Sequence, residues 1–158
     1  EVLKDLNRIA FDALHKDRDQ SLVRDGMDMA LCVFDPKDLT LEYAGANCPL
    51  YLVRDREVIH FTPDKIPIGG FELNGKAFTD HRVQLREGDL IYIFSDGYAD
   101  QFGGPKGKKF LYRRFRDLLI SVSNEPLEAQ KRALLDAFME WKGAHEQVDD
   151  ILVIGMRA

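Results

Sequence analysis

Cysteine is scarce in this sequence, which has only Cys32 and Cys48 among 158 residues. Two cysteines without a CxxC spacing are too few for a disulfide framework, so we expect both to be reduced. A signal peptide is missing, and no apolar run approaches the ~20 residues that span a bilayer. These absences predict a cytoplasmic protein without direct membrane contact. The chain opens on Glu1, within a helical pattern, so we expect a fragment of a longer protein.

Basic residues are in deficit: 22 Lys and Arg stand against 27 Asp and Glu, which gives a net charge of −5. We find no basic stripe with interleaved aromatic residues, and we therefore expect no nucleic-acid partner. Covalent catalysis also lacks support, because no serine or cysteine lies in a recognisable nucleophile elbow. The histidines have no metal-ligand spacing and are expected at the surface: His15, His60, His81 and His145.

What the sequence does contain is a run of five apolar residues at 90–94, directly after a turn at 86–89. Such a run predicts a strand buried on both faces, in the middle of a sheet. The chain then passes abruptly to Ser95, Asp96 and Gly97. Asp96 is therefore predicted at the rim of the core, on a backbone that Gly97 allows to turn sharply.

A second acidic pair precedes the last apolar run. Asp149 and Asp150 come directly before residues 151–154, which predict another central strand that is apolar on both faces. If the two strands are antiparallel neighbours, Asp96 faces Asp149, and the carboxylates repel each other unless a cation lies between them. Oxygen ligands without Cys or His suit Mg²⁺ or Mn²⁺. Asp150 is the expected solvated neighbour, since adjacent strand residues point to opposite faces.

Other interpretations of these side chains stay open. Asp96 could be the N-cap of a following helix. Asp28 either joins the metal cluster or, as we favour, accepts a hydrogen bond at the start of a strand. Lys106 and Lys108 follow a glycine-rich loop whose spacing does not match a P-loop. We favour a solvated loop there; the alternative is that one of these lysines contacts a substrate phosphate.

The order of the predicted elements indicates one α+β domain over residues 1–158, with helices packed on a mainly antiparallel sheet. An amphipathic helix is followed by a charged connector at 16–25, and residues 62–80 read as an irregular excursion. The other predicted elements are strands at 27–34, 39–43, 50–53, 58–61 and 82–85, the two strands described above, and helices around 111–119 and from Pro126 to Gly143.

Taken together, four motifs resemble one known family. They lie at residues 43–50, 66–69, 94–97 and 148–151, and their order and spacing are similar to the C-terminal part of a bacterial SpoIIE-like protein phosphatase of the metal-dependent PPM class. The resemblance covers nearly the whole chain. It implies a sandwich of two antiparallel sheets flanked by helices, with two Mn²⁺ or Mg²⁺ ions in the intact domain.

The resemblance also implies residue roles. Asp96 and Asp149 match metal-binding positions of the family, and Asp150, Asp28 and Gly97 are further candidates for contact with the metal or for support of its ligands. Members of the family dephosphorylate phosphoserine or phosphothreonine proteins, often anti-sigma-factor antagonists. The resemblance implies a metal-bridging water as the nucleophile, attacking phosphorus in line.

The sequence departs from the family at three places. It contains no Asp followed by Gly-His-Gly, and Asp25-Gly26 does not replace that motif because it follows the first helix and lacks His-Gly. Ala46-Asn47 lacks a usual His, and Leu152 stands where Thr is usual. We therefore expect a domain truncated at its N-terminus, lacking the first strands and the first metal-binding motif and inactive alone. The alternative is a non-catalytic regulatory or protein-binding module, and an exposed sheet edge would favour a dimer.

Overall fold

The structure is a computed structural model that describes residues 1–15 and 26–158. The predicted connector at 16–25, with Asp25, lies outside the described residues. The elements in chain order are α1 (Val2–His15), β1 (Met29–Asp35), β2 (Thr40–Ala46), β3 (Leu50–Arg54), β4 (Glu57–Phe61), β5 (His81–Gln84), β6 (Leu90–Phe94), α2 (Gly97–Asp100), β7 (Phe102–Gly103), β8 (Lys108–Lys109), α3 (Tyr112–Ser121), α4 (Leu127–Lys142) and β9 (Val153–Arg157).

The chain divides into two compact units, which are described separately. The first consists of residues 1–50 and 61–85, and the second of residues 51–60 and 86–158. Among the described residues, the first unit contains helix α1 and an antiparallel sheet, and the second contains helices α2, α3 and α4 and antiparallel sheets, so the predicted α+β class is confirmed. Within the described residues, no helix combines the length and the apolar character needed to cross a bilayer.

The first unit is built on a three-stranded sheet in the order β1-β2-β5. β1 and β2 form a hairpin whose turn is tightened by Asp35, since its Oδ1 accepts a hydrogen bond of 2.8 Å from the Lys37 N–H. The amphipathic pattern predicted α1 correctly, and its buried Leu3 packs with Ala46 and Ile68. The stretch at 62–80 is irregular as predicted.

The cysteines of this unit are both free. Cys32 lies opposite Tyr43 in the β1–β2 register, and the Tyr43 hydroxyl donates to the Cys48 carbonyl oxygen at 2.7 Å. Burial, with a smaller contribution from Cys48, raises the pKa of the Cys32 thiol to about 11. Cys32 is therefore a protonated thiol at neutral pH. Since only the thiolate is strongly nucleophilic, Cys32 is expected to react slowly.

The second unit contains a four-stranded sheet in the order β4-β3-β6-β9. β6 has a neighbour on each side, and four of its five residues are buried, which confirms the central strand predicted from the apolar run. Its Phe94 packs against Tyr51 and Phe115, with ring centroids 4.7 and 4.8 Å away. Such aromatic pairs stabilise a core beyond the area that they bury.

The start of β6 is anchored by a buried ion pair that the sequence did not reveal. Asp89 is only 3% exposed, and its carboxylate receives hydrogen bonds from the Arg54 guanidinium, including Nε at 2.9 Å, and from the Arg86 N–H at 2.8 Å. Burial raises the pKa of Asp89, but the hydrogen bonds and charge of Arg54, together with the Arg86 N–H, outweigh it and hold the pKa below its usual range. The ion pair joins β3 to β6.

The last strand differs from its prediction. β9 is the antiparallel neighbour of β6, as expected, with Phe94 opposite Val153. However, β9 begins at Val153 rather than Ile151 and lies at the edge of the four-stranded sheet. Leu152 and Ile154 are 56% and 49% exposed. The prediction of a central strand buried on both faces is therefore wrong for β9.

The helices of the second unit agree with their sequence signals. Pro126 directly precedes α4, and Gly143, with φ of 52°, ends it. Leu134 and Phe138 of α4 are buried in the core. The short helix α2 and the β7–β8 hairpin were not predicted, because each is too short to show a periodic pattern.

Candidate active site

The first part of the candidate site lies where β6 ends. Asp96 occupies the N-cap position of α2 and is exposed, and its carbonyl oxygen accepts a hydrogen bond of 3.0 Å from the Asp100 N–H. Its carboxylate makes no side-chain capping hydrogen bond. The interpretation of Asp96 as a helix cap, left open by the sequence, therefore has no support from the cap geometry.

Ser95 joins this strand end to the segment that carries the second acidic pair. Beyond the β6–β9 ladder, the Ser95 N–H donates to the Leu152 carbonyl oxygen at 3.0 Å. The Ser95 hydroxyl donates to the Asp150 carbonyl oxygen at 2.9 Å and accepts from the Leu152 N–H at 3.0 Å. One small side chain thus fixes the backbone directly after Asp149.

Gly97 brings the two segments into direct contact. A Cβ atom built on Gly97 would lie 2.5 Å from the Asp150 carbonyl oxygen and 3.3 Å from the Asp149 Cβ. Asp149 therefore lies against Gly97, the first residue of α2, and Gly97 directly follows Asp96 in the chain. The φ angle of Gly97 is not positive, so its backbone conformation does not itself require glycine. The sequence predicted a sharp turn here; the structure instead requires glycine because another segment approaches closely.

Further hydrogen bonds hold the residues before and within the acidic segment, Asp149-Asp150. Gln101 is fully buried, and its Nε2 donates to the Glu146 carbonyl oxygen at 2.8 Å. Gln147 donates to the Asp149 carbonyl oxygen at 2.8 Å, and the Asp150 N–H donates to Asp149 Oδ1 at 2.7 Å. Both Asp149 and Asp150 are exposed, as the sequence predicted for Asp150.

Two positioning residues were thus missed by the sequence reasoning, namely Ser95 and Gln101. Ser95 could have been suspected, because a short hydroxyl side chain directly before Asp96 is well suited to bond neighbouring backbone. For Gln101, no sequence signal announces a partner 45 positions away.

Asp28 belongs to the first unit, just before β1. Its Oδ1 accepts a hydrogen bond of 2.8 Å from Asn47 Nδ2, and Asn47 has a positive φ of 57°. This is the hydrogen-bonded strand start that we favoured from the sequence. A metal role for Asp28 stays a prediction.

Lys106 and Lys108 are exposed on the β7–β8 hairpin. The next residue, Lys109, forms an ion pair with Asp100 at 2.7 Å, which links the hairpin to the last residue of α2. The hairpin replaces the plain loop expected at 103–107. The favoured interpretation of solvated lysines agrees with their exposure, and contact with a phosphate stays a prediction.

The donors at the candidate site suit a metal in kind but are few in number. Asp96, Asp149 and Asp150 offer carboxylate oxygens, which Mg²⁺ and Mn²⁺ prefer. Within residues 1–15 and 26–158, however, no group of three or more His, Cys, Asp and Glu side chains is arranged to hold a metal ion. These aspartates alone would leave most of about six coordination positions to water or to other groups.

Comparison with known proteins gives consistent results. The family described as Stage II sporulation protein E (SpoIIE) matches residues 1–158. Among solved structures, the SiaA-PP2C domain of Pseudomonas aeruginosa is 29% identical, with a TM-score of 0.78 over 99% of this chain and 68% of that chain. No curated protein matches the chain significantly.

Two further solved structures share the fold at lower identity. The PP2C phosphatase domain of SpoIIE from Bacillus subtilis, with a fragment of its regulatory domain, is 19% identical with a TM-score of 0.69 over 98% of this chain and 48% of that chain. The RsbU and RsbW domains of Rv1364c from Mycobacterium tuberculosis are 19% identical with a TM-score of 0.67 over 99% and 47%. The chain thus spans about half the length of these two structures.

Proposed function

Because the chain belongs to the SpoIIE family of PP2C-type phosphatase domains, we propose that it is part of a metal-dependent phosphoserine and phosphothreonine protein phosphatase in bacterial signalling. The observation that carries this proposal is the close packing of the Asp149-Asp150 segment on Gly97, one residue after Asp96. Residues 1–158 act in this proposal as a single SpoIIE-like phosphatase domain.

Asp96 and Asp149 are the proposed ligands of Mn²⁺ or Mg²⁺, with Asp150 and Gly97 as their proposed supporting residues; a metal role for Asp28 stays a prediction. Such ions, when bound, supply an activated water and neutralise charge on the phosphoryl oxygens. Within the chain itself, Ser95 and Gln101 keep the Asp149 segment in place by the hydrogen bonds described above. In this proposal, Lys106 and Lys108 would attract a substrate phosphate by charge. Because so few carboxylates converge, residues 1–158 alone would bind the metal weakly and turn over slowly.

The proposed substrate is a phosphoprotein, of the anti-sigma-factor-antagonist type, and the proposed location is the cytoplasm. One of the neighbours described above joins RsbU and RsbW domains in a single chain, which supports a regulatory protein partner. The exposed edge of β9 supports a further proposal, that two copies associate through this strand.

The proposal is tested with the full-length parent protein. We expect Asp96→Asn and Asp149→Asn each to reduce Mn²⁺-dependent hydrolysis of a phosphoserine protein by about 100-fold or more, because each variant loses a charged ligand. Asp136→Asn, an exposed aspartate of α4, is the matched control and should retain activity. Equal activity of wild type and Asp96→Asn would refute the proposal.

A second candidate is a non-catalytic, phosphatase-like binding module. It is favoured by the altered positions Asn47, which bonds Asp28, and Leu152, which is exposed beside Ser95. Titration of this chain with Mn²⁺, followed by amide NMR, separates the two. Paramagnetic broadening centred on both Asp96 and Asp149 supports the enzyme. Broadening spread over all acidic surfaces supports the binding module.

A further inference from the structure

Positive charge is concentrated in one short part of this acidic protein. Residues 101–116 contain six basic side chains and no acidic one, whereas the whole chain has a net charge of −5, so the remainder carries −11. Aromatic residues interleave with these basic residues. This segment therefore contradicts our expectation that the sequence has no basic stripe with interleaved aromatic residues. The basic residues are Lys106, Lys108, Lys109, Arg113, Arg114 and Arg116.

These residues lie on the β7–β8 hairpin and on the first turns of α3. Lys109 is paired with Asp100, and the Arg114 guanidinium lies over the Trp141 ring at 4.5 Å. In the part of the chain that the structure describes, no carboxylate lies within ion-pair distance of Lys106, Lys108 or Arg113. Three exposed cations are thus left for an external partner.

Exposed apolar side chains accompany the charges. Phe102, Leu111 and Tyr112 are 41%, 55% and 37% exposed. We call these three residues and the six basic ones the basic surface. The combination is typical of a contact surface for protein, since aromatic residues and arginine are enriched at interfaces.

Leu111 adds a sign of strain. It has φ of 77° and ψ of 144°, a conformation that L-residues rarely adopt, and its N–H donates to the Ala99 carbonyl oxygen at 2.7 Å. Backbone strain of this kind costs about 1–3 kcal/mol and tends to occur at functional sites. Here it accompanies a leucine side chain that is directed into solvent.

The N-terminal end of α3 adds to the positive charge of the basic surface. Its first turn contains no acidic residue, and Leu111 at the N-cap makes no side-chain capping hydrogen bond. The positive end of the helix dipole therefore adds to the field of Lys108 and Arg113. Acidic side chains or phosphate groups are the ligands that such a field favours.

The basic surface is coupled to the candidate active site through α2. Lys109 pairs with Asp100 and Leu111 bonds Ala99, both residues of the helix whose N-cap is Asp96. Movement of α2 relative to the basic surface would break both contacts. A partner bound on this surface would therefore lie on elements that contact α2, the helix that begins after Asp96.

We propose that the basic surface docks an acidic segment of a phosphoprotein, adjacent to the phosphorylated residue. This inference rests on the proposed phosphatase function and adds to it the kind of substrate that would be selected. A protein segment is favoured over nucleic acid because the surface is short and the remaining net charge of −11 would repel a long polyanion.

The test measures binding, without turnover, by this chain in the absence of metal. The probe is a fluorescein-labelled peptide with one phosphoserine flanked by glutamates, and its partner peptide has glutamines in their place. We expect the acidic peptide to bind more tightly at low salt, and Lys106→Glu with Lys108→Glu to weaken binding by about tenfold or more. The matched control, Lys131→Glu with Arg132→Glu, makes the same charge change on exposed residues of α4 and should have less than about twofold effect.

Several results would overturn the inference. Unchanged binding by the hairpin double variant would do so, as would an equal loss in the α4 control, because net charge alone would then explain it. A single-stranded DNA oligonucleotide that binds as tightly as the acidic peptide would identify a nucleic-acid surface instead. Thermal unfolding of both double variants checks that they fold. Absence of metal-dependent phosphatase activity in the wild-type parent would refute the phosphatase function but would leave this binding result intact.

Discussion

The hydroxyl of Ser95 donates a hydrogen bond to the carbonyl oxygen of Asp150 at 2.9 Å, although the two residues are 55 positions apart. The same hydroxyl accepts from the Leu152 N–H. This small bridge, rather than any contact between carboxylates, links the end of β6 to the segment that carries Asp149. The candidate site therefore depends on a residue that has no proposed role in metal binding itself.

Replacement of Ser95 by alanine removes both hydrogen bonds. We expect Ser95→Ala to lower the free energy of unfolding by about 0.5–1.5 kcal/mol, because the Asp150 carbonyl oxygen and the Leu152 N–H each lose a hydrogen bond that is exposed to solvent. It should also weaken Mn²⁺ binding, measured by NMR broadening at Asp149, whereas Ser95→Thr should restore it. If a stability-matched variant such as Leu134→Val weakened Mn²⁺ binding equally, Ser95 would have only a structural role.

Gly97→Ala tests the close approach of the two segments. The added Cβ would lie 2.5 Å from the Asp150 carbonyl oxygen, so the acidic segment must shift. We expect a loss of about 1–3 kcal/mol in unfolding free energy, measured in urea, and displaced amide resonances at Asp149 and Asp150. Gly75→Ala is the control, since Gly75 has φ of 86° and open space around it. The backbone strain in Gly75→Ala is local, so this variant should leave the Asp149 resonance in place. Unchanged Asp149 and Asp150 resonances in Gly97→Ala would contradict the observed packing.

The Asp89–Arg54 ion pair predicts a pH dependence of stability. The folded pKa of Asp89 lies below its value in the unfolded chain. Its contribution is therefore fully present above the unfolded pKa of about 4 and is lost as pH falls through the folded pKa. Asp89→Asn should cost about 3 kcal/mol at neutral pH, since it removes the buried carboxylate charge that the Arg54 guanidinium binds.

Chemical unfolding at a series of pH values gives the measurement. The difference between wild type and Asp89→Asn should shrink as the solution is acidified. Asp55→Asn, which removes the exposed partner of Arg86, should cost less than about 1 kcal/mol at every pH. A difference for Asp89→Asn that stays constant below pH 4 would contradict the assigned pKa direction.

The exposed edge of β9 predicts self-association. Ile154→Lys places a charge on an edge strand, which disfavours pairing with another strand. We expect wild type to show a concentration-dependent dimer in sedimentation velocity and the variant to remain monomeric. Val33→Lys, a comparable exposed change on β1, should leave the dimer intact. A wild-type chain that is monomeric at all concentrations would contradict the prediction.

The sequence predicted where the strands lie in the chain better than it predicted which strands are neighbours in the sheet. β6 was recognisable because five apolar residues in succession require burial on both faces. The same reasoning failed for β9, because an apolar run does not reveal whether a strand has one neighbour or two. The outcome for Leu152 and Ile154 depends on sheet order, a tertiary property.

The candidate site was predicted to the same extent. The order of motifs predicted Asp96 and Asp149 as metal ligands, which stays a prediction, and the predicted antiparallel pairing of β6 and β9 is confirmed. The close approach of Asp150 to Gly97 was not predicted, because it is a contact between distant segments. The Asp89–Arg54 pair was missed for the same reason, since nothing in the local sequence around residue 54 or 89 encodes the partner.

The position of β9 in the chain has a consequence for biosynthesis. β6 leaves the ribosome well before β9, and the hydrogen bonds of Ser95 to residues 150 and 152 span 55 and 57 positions. Pairings of such long range form late, because the intervening chain must first be closed into a loop. During translation, Asp96 therefore exists for some time on a nascent sheet without the segment that completes its surroundings. Premature termination just after Gly143 would yield a chain that retains the aromatic residues of the core but lacks Asp149, Asp150 and β9.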